Sequence, residues 1–199
     1  MGKCDKPYRF YDENGNILTE TFDDFGGSEF HCSKCLKLYF QEGHLKRHSF
    51  KCKGTLANGV EKINKSSPKP LQKIISALGR LSQHAQGIDF PMTHEEGLKT
   101  HNQSVLIYVT NKKLIGFITY STRKFTEVEH YSNDDFFVAQ YMRRAGIGSI
   151  LFDEMLRNIG IDPKDIQNVE KNVIVCRPSS DMMNFLLEKK GYKNIQVWR

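Results

Sequence analysis

The sequence is short of cysteine and tryptophan and has no long apolar run. Five cysteines and one tryptophan in 199 residues exclude a disulfide-stapled secreted scaffold, which needs dense cysteine. No stretch approaches the ~20 consecutive apolar residues of a membrane-crossing helix, so no membrane partner is expected. The first residues lack the apolar core of a secretory leader. Lys6 stands where a myristoylation signal wants Ser or Thr. Two phosphate-loop fingerprints are also missing. No Gly-x-Gly-x-x-Gly is complete, and no Gly-Lys-Ser/Thr closes a P-loop.

What is present is positive charge. A formal net charge of +6 favours an acidic partner: nucleic acid, a phosphate-rich cofactor or an acidic protein surface. The most informative stretch is Arg143-Arg144-Ala145-Gly146-Ile147-Gly148. It lies between an expected strand, Asp135 to Ala139, and an expected helix that begins near Ile147. Two close glycines expose consecutive backbone N–H groups, the helix start adds partial positive charge, and two arginines flank them. That combination suits a diphosphate.

The surrounding pattern is α/β. Leu71, Ile74, Ile75, Leu78 and Leu81 recur at helical spacing. Strands are expected at 104–109, 114–120, 135–139, 172–176 and 195–198, with a last helix around Met182 to Leu187 that ends at Gly191. Residues 71–199 form the larger domain.

Residues 30–52 read as a small ββα zinc finger. Cys32, Cys35, His48 and Cys52 have the spacing of a finger whose last histidine is replaced by cysteine. Phe30, Tyr39 and Leu45 fall where such a finger packs its core. Four protein ligands leave no open position, so the Zn2+ is expected to be structural. Gln41, Glu42 and Gly43 are poor base readers at the helix start, and one finger seldom specifies a site. DNA is therefore set below protein docking or domain bracing. The finger resembles that of the MYST histone acetyltransferases in Cys-x-x-Cys-Leu-Lys and Leu-Lys-Arg-His-x-x-x-Cys. Residues 1–29 form a lead segment, with short strands around Tyr8–Phe10 and Ile17–Thr19, and residues 53–70 read as a solvated linker.

The Arg-x-x-Gly-x-Gly spacing resembles the acetyl-CoA loop of the GNAT superfamily. The likeness sharpens in Leu78-Gly79-Arg80, Ala85-Gln86-Gly87, Pro91-Met92-Thr93, Ile115-Gly116-Phe117-Ile118, Asp135-Phe136-Phe137-Val138 and Arg177-Pro178-Ser179. In this order they are similar to the α-tubulin N-acetyltransferases, from about residue 71 to residue 193. The resemblance implies a GNAT fold with acetyl-CoA held along Phe136, Phe137, Val138, Arg143, Arg144, Gly146, Ile147, Gly148 and Ser149, and against Ser179. Ser179 also suits the cap of the last helix.

In those enzymes a glutamine, a cysteine and an aspartate line the entry of the substrate lysine. Gln86 matches the glutamine, Ser132 falls at the cysteine and Cys176 falls at the aspartate. Two of the three implied catalytic positions are thus altered. Cys176 serves as a base only if Arg177 lowers its pKa; the plainer reading is a small buried residue at a strand end. The resemblance implies a tubulin acetyltransferase-like protein that associates with microtubules, in the cytoplasm at the cytoskeleton or cilium. A microtubule-associated structural protein without turnover is the first alternative. A nuclear acetyltransferase for histone or cohesin-type proteins is the second. Neither activity nor oligomeric state follows from the sequence.

Overall fold

Runs of Val, Ile, Phe and Tyr between residues 104 and 138 build the centre of the molecule. A computed structural model describes residues 7–11, 17–22, 30–32, 38–39, 42–51, 58–69, 71–72, 75, 78–79, 82, 93–110, 113–125, 128–139 and 142–198. Its main sheet has six strands in the order β10-β9-β8-β7-β6-β5. They are β5 (Gly59–Ile63), β6 (Ser104–Thr110), β7 (Lys113–Phe125), β8 (Val128–Val138), β9 (Val173–Cys176) and β10 (Gln196–Trp198). Strands β5 to β8 pair antiparallel, and β8, β9 and β10 run parallel.

Both faces of the sheet are covered. Val105, Leu106, Ile107 and Val109 are all buried, a continuous apolar run of the kind that a strand covered on both sides requires. On one face lies α2 (Ile147–Asn158), whose Ile147, Leu151, Phe152, Met155 and Leu156 are buried. These follow a helical stripe, and each full burial contributes roughly 1.5–3 kcal/mol. Gly160, at φ 78, ends the helix, and the N–H of Ile161 turns back to the carbonyl of Leu156 at 2.9 Å. The described helical residues between 69 and 82 include buried Ile75, Leu78 and Ser82.

Two further helical segments come after α2. Helix α3 (Ile166–Asn172) starts at Asp165, whose carboxylate accepts from Asn168 N at 3.0 Å. Helix α4 (Ser180–Asn184) continues into one π turn, Phe185–Lys189. Near the N-terminus, β1 (Pro7–Tyr11), β2 (Ile17–Phe22), β3 (Phe30–Cys32) and β4 (Leu38–Tyr39) form a second sheet in the order β2-β1-β3-β4. Helix α1 (Glu42–Lys51) comes next and buries Leu45.

Beyond the longer β7 and β8, two segment boundaries differ from the sequence reading. The stretch read as a linker holds β5, whose five residues pair with β6 from Gly59↔Val109 to Ile63↔Val105. Its charged Glu61 and Lys62 belong to an edge strand, where charge discourages further pairing, and they hide its buried Ile63. The lead segment shares a sheet with residues 30–39, because β1 pairs in parallel with β3.

At Gly116 the backbones of β7 and β8 leave no room for a side chain. A Cβ there would meet the carbonyl oxygen of Phe137 at 2.7 Å and the Cα of Val138 at 3.3 Å. Gly116→Ala is expected to cost about 1–3 kcal/mol, read as a lower urea midpoint with an unchanged slope. An unaltered midpoint would show that the strands yield freely there.

Candidate active site

The glycine turn joins the sheet to α2. Arg144 and Gly146 take left-handed φ values of 68 and 83, which turn the chain sharply into the helix. Gly146 stands at the N-cap and provides no side-chain cap. The first-turn N–H groups of a helix have no intrahelical carbonyl, so those of Ile147, Gly148 and Ser149 suit an anion. Gly148 lies against Phe136, whose Cζ would stand 3.1 Å from an added Cβ. Phe136 in turn packs on Phe185, with ring centroids 5.7 Å apart.

The two arginines part ways. Arg143 Nε donates to Val138 O and its Nη1 pairs with Asp181 Oδ2, both at 3.2 Å. That exposed ion pair contributes no more than about 1 kcal/mol, but it joins the turn to the start of α4. Arg144 is exposed and has no ion-pair partner among the described residues. At the start of α4, Ser179 Oγ accepts from Met182 N at 3.2 Å, so its hydroxyl acts as a helix cap. Phe137 stacks on Phe117 in the core at 5.9 Å and is paired with it across β7, while Val138 is half-buried and its carbonyl faces Arg143 on the other edge.

Strands β8 and β9 stay paired only from Tyr131↔Val173 to Asn133↔Val175. Beyond that point β8 continues to Val138 against β7 alone. The strands part there, and a cleft opens between Asp134 and Phe136 on one side and Cys176, Pro178, Ser179 and Met182 on the other. The parting coincides with a β-bulge. Thr119 faces Asp135 and Tyr120 faces Asn133, so Asp134 is an extra residue without a partner on β7.

The bulge turns two consecutive aspartates toward one face, which a regular strand cannot do. Asp135 accepts from Ser82 Oγ at 2.5 Å and Thr93 Oγ1 at 2.9 Å, tying the opening helix and its loop to the sheet. Asp134, whose side chain has no exposed area, pairs with Arg123 at 3.1 Å. It also accepts from Ser121 at 2.7 Å, Ser132 at 2.7 Å and Gln103 at 3.1 Å. Arg123 lies over the Trp198 ring, 4.5 Å from its centroid. Asp134 is not among the residues singled out from the sequence. The signal was there: Ser132-Asn133-Asp134-Asp135 is a polar run in a central strand.

Ser132 and Cys176 come together, with Oγ and Sγ 3.0 Å apart. Ser132 has no exposed area, and Cys176 lies at the buried end of β9. Burial pushes the Cys176 thiol above its ordinary range, against the Ser132 hydrogen bond, and the nearby Asp134 charge adds to the rise. Arg123 opposes it only in part. The thiol is therefore kept protonated at neutral pH. Gln86 lies outside the described residues, as do Cys35 and Cys52. His48 is half-buried on α1 and Cys32 belongs to β3. Among the described residues, no cluster of three potential metal ligands occurs.

Removing the guanidinium would leave the Asp134 charge inside the sheet without its ion-pair partner. Arg123→Gln is expected to lower stability by about 2–3 kcal/mol, at the low end because Arg123 is 29% exposed. Urea unfolding measures this, and a loss below about 0.5 kcal/mol would mean that the remaining hydroxyl and amide donors suffice.

Comparison with known proteins agrees with this geometry. The sequence matches a family described as GNAT acetyltransferase, Mec-17, over residues 41–198. It is 27% identical over 139 residues to an alpha-tubulin N-acetyltransferase of Aedes aegypti, covering 63% of this chain and 48% of that one. It is 25% identical over 145 residues to alpha-tubulin N-acetyltransferase 1 of Danio rerio, covering 64% and 46%. The chain thus spans about half the length of these relatives, and only 26% of a similar protein from Anopheles gambiae. In fold it is similar to the xEco2 acetyltransferase domain bound to a CoA conjugate, with TM-score 0.56 and 14% identity over 72% of this chain and 94% of that one. The match from α1 to β10 takes in the sheet, the glycine turn and the cleft together, and the chain belongs to the GNAT acetyltransferase, Mec-17, family.

Proposed function

We propose that this chain binds acetyl-CoA in the β8–β9 cleft and acts as an α-tubulin acetyltransferase-like protein on a lysine amine. The observation that carries this reading is the parting of β8 from β9 beside the glycine turn. It offers a free main-chain edge, a cleft and a helix start in one line, as an extended diphosphate ligand needs. When bound, acetyl-CoA supplies the activated acetyl group as a thioester. The N–H groups of Ile147, Gly148 and Ser149 hold its anionic part, helped by Arg144, while Arg143 fixes the turn against α4. Phe136 and Val138 offer the free edge of β8, and Phe137 between them holds that edge to β7. Microtubules are the partner in this reading, and the cytoplasm, at the cytoskeleton, is the place of action.

A lysine amine near pKa 10.4 is protonated at neutral pH and must lose a proton before it attacks. Position 176 carries a thiol kept protonated by burial. That observation favours the second reading, a protein that keeps ligand and microtubule binding without turnover. Calorimetry with acetyl-CoA and an acetylation assay on polymerised tubulin separate the two. The expected result is saturable binding with measurable transfer, raised about tenfold or more in Ser132→Cys/Cys176→Asp. No heat at millimolar acetyl-CoA would contradict the reading; binding without any transfer would select the second.

The same reading gives residues 30–52 a structural Zn2+ held by Cys32, Cys35, His48 and Cys52. In support, β3 and β4 pair antiparallel at Phe30↔Tyr39, and α1 comes next with Leu45 fully buried, the ββα order such a site is built on. Zinc would fix the termini of this unit and take no part in transfer. Metal analysis is expected to find about one Zn2+ per chain, lost in Cys35→Ser with a fall in helical circular dichroism. Metal-free native protein of unchanged helicity would remove the finger.

A further inference from the structure

We propose that Asp134 takes the place of the carboxylate missing at position 176, acting on the substrate amine through Ser132 and Cys176. This rests on the acetyl-transfer reading above and goes beyond it, because neither the glycine turn nor the altered positions point to Asp134. Three observations carry it. Cys176 lines the cleft. Its Sγ lies 3.0 Å from Ser132 Oγ, and Ser132 Oγ lies 2.7 Å from Asp134 Oδ1. The bulge that adds Asp134 to β8 answers no pairing need, since Asp134 faces no residue on β7; bulges beside active sites commonly re-aim a side chain.

Donor accounting fixes the direction of the chain. A hydroxyl has one proton. Given by Ser132 to Asp134, it leaves Ser132 Oγ, at 3.0 Å, as the nearer acceptor for the thiol of Cys176, whose Sγ also lies 3.8 Å from Asp134 Oδ1. The sulfur lone pairs are then left for the cleft. A substrate ammonium there can pass a proton to Sγ while the thiol proton moves to Oγ and the hydroxyl proton to Oδ1. One N–H bond breaks and one O–H bond forms at Asp134, with the S–H and O–H of Cys176 and Ser132 each exchanged. The net change is ammonium plus carboxylate to amine plus carboxylic acid, and no electrons are transferred. Among the described residues, Arg123, paired to the same carboxylate, and Asp134 are the charged groups acting on the thiol. Asp134 is thus a positioning residue with a proton role, and Cys176 is the group that meets the substrate.

Ser132→Ala is the main test, because it removes the hydroxyl between thiol and acid, leaves only the 3.8 Å approach of Sγ to Asp134 Oδ1 and keeps the Asp134–Arg123 pair. Single-turnover acetyl transfer to polymerised tubulin is measured in mixtures of light and heavy water, with acetyl-CoA affinity and the thermal midpoint as controls. The expected result is a rate about a hundredfold lower at unchanged affinity. The isotope dependence should be bowed in the native chain, from several protons in flight, and straight in Ser132→Ala. Ser132→Cys, which keeps a donor, should recover the rate to within about tenfold of native. Asp134→Asn should lower the pH at which Cys176 ionises, read as thiolate absorbance against Cys176→Ala, since a neighbouring negative charge is removed. Native transfer with an unaffected Ser132→Ala rate, a straight native isotope plot, or a Cys176 ionisation untouched by Asp134→Asn would overturn the proposal alone. A native chain that transfers nothing would overturn it together with the acetyl-transfer reading.

Discussion

A carboxylate without exposed area sits in the middle of the sheet, and much of the site is arranged around it. A buried charge is tolerable only when opposite charge and hydrogen-bond donors surround it. Asp134 draws these from three segments: Gln103 before β6, Ser121 and Arg123 on β7, and Ser132 on β8. Arg123 is itself covered by Trp198 on β10. The last strand is therefore part of the same electrostatic unit as the central ones, and β10 is also fixed to the end of β9 by Arg177 N and Trp198 O at 2.7 Å.

The bulge that introduces this charge also shapes the cleft. Pairing with β9 ends at Asn133, one residue before the extra position. One local irregularity thus accounts for an acid in the interior and an opening beside it. On the other face, Phe136, Phe152 and Phe185 pack together where α2 meets the π turn. Gly148 lets the helix approach Phe136, so the N-terminal N–H groups of α2 stand beside the free edge of β8. The helix start at one end of the cleft and the Ser132–Cys176 contact at the other are held by different faces of one strand.

The sequence made some of this legible and hid the rest for physical reasons. Long apolar runs such as Val105 to Val109 and Val173 to Cys176 announced central strands, and two glycines after a strand announced the turn into α2. Edge strand β5 was hidden because Glu61 and Lys62 give it the composition of a loop. The outer ends of β7 and β8 were hidden by polar residues, since Ser121, Arg123 and Ser132 serve the Asp134 network. Asp134 could not be placed by alternation, because a bulge breaks the period of two on which that reasoning rests. Family resemblance singled out Ser132 and Cys176 one by one, while their contact and the acid behind them came only from the structure.

The functional reading depends most on the parted strands being a ligand channel. A crystal structure with acetyl-CoA tests this directly. It should show the diphosphate on the N–H groups of Ile147 to Ser149, the chain of the ligand along β8 from Asp134 to Val138, and the thioester end beside Cys176. A cleft filled by side chains, with the ligand absent or bound elsewhere, would contradict it.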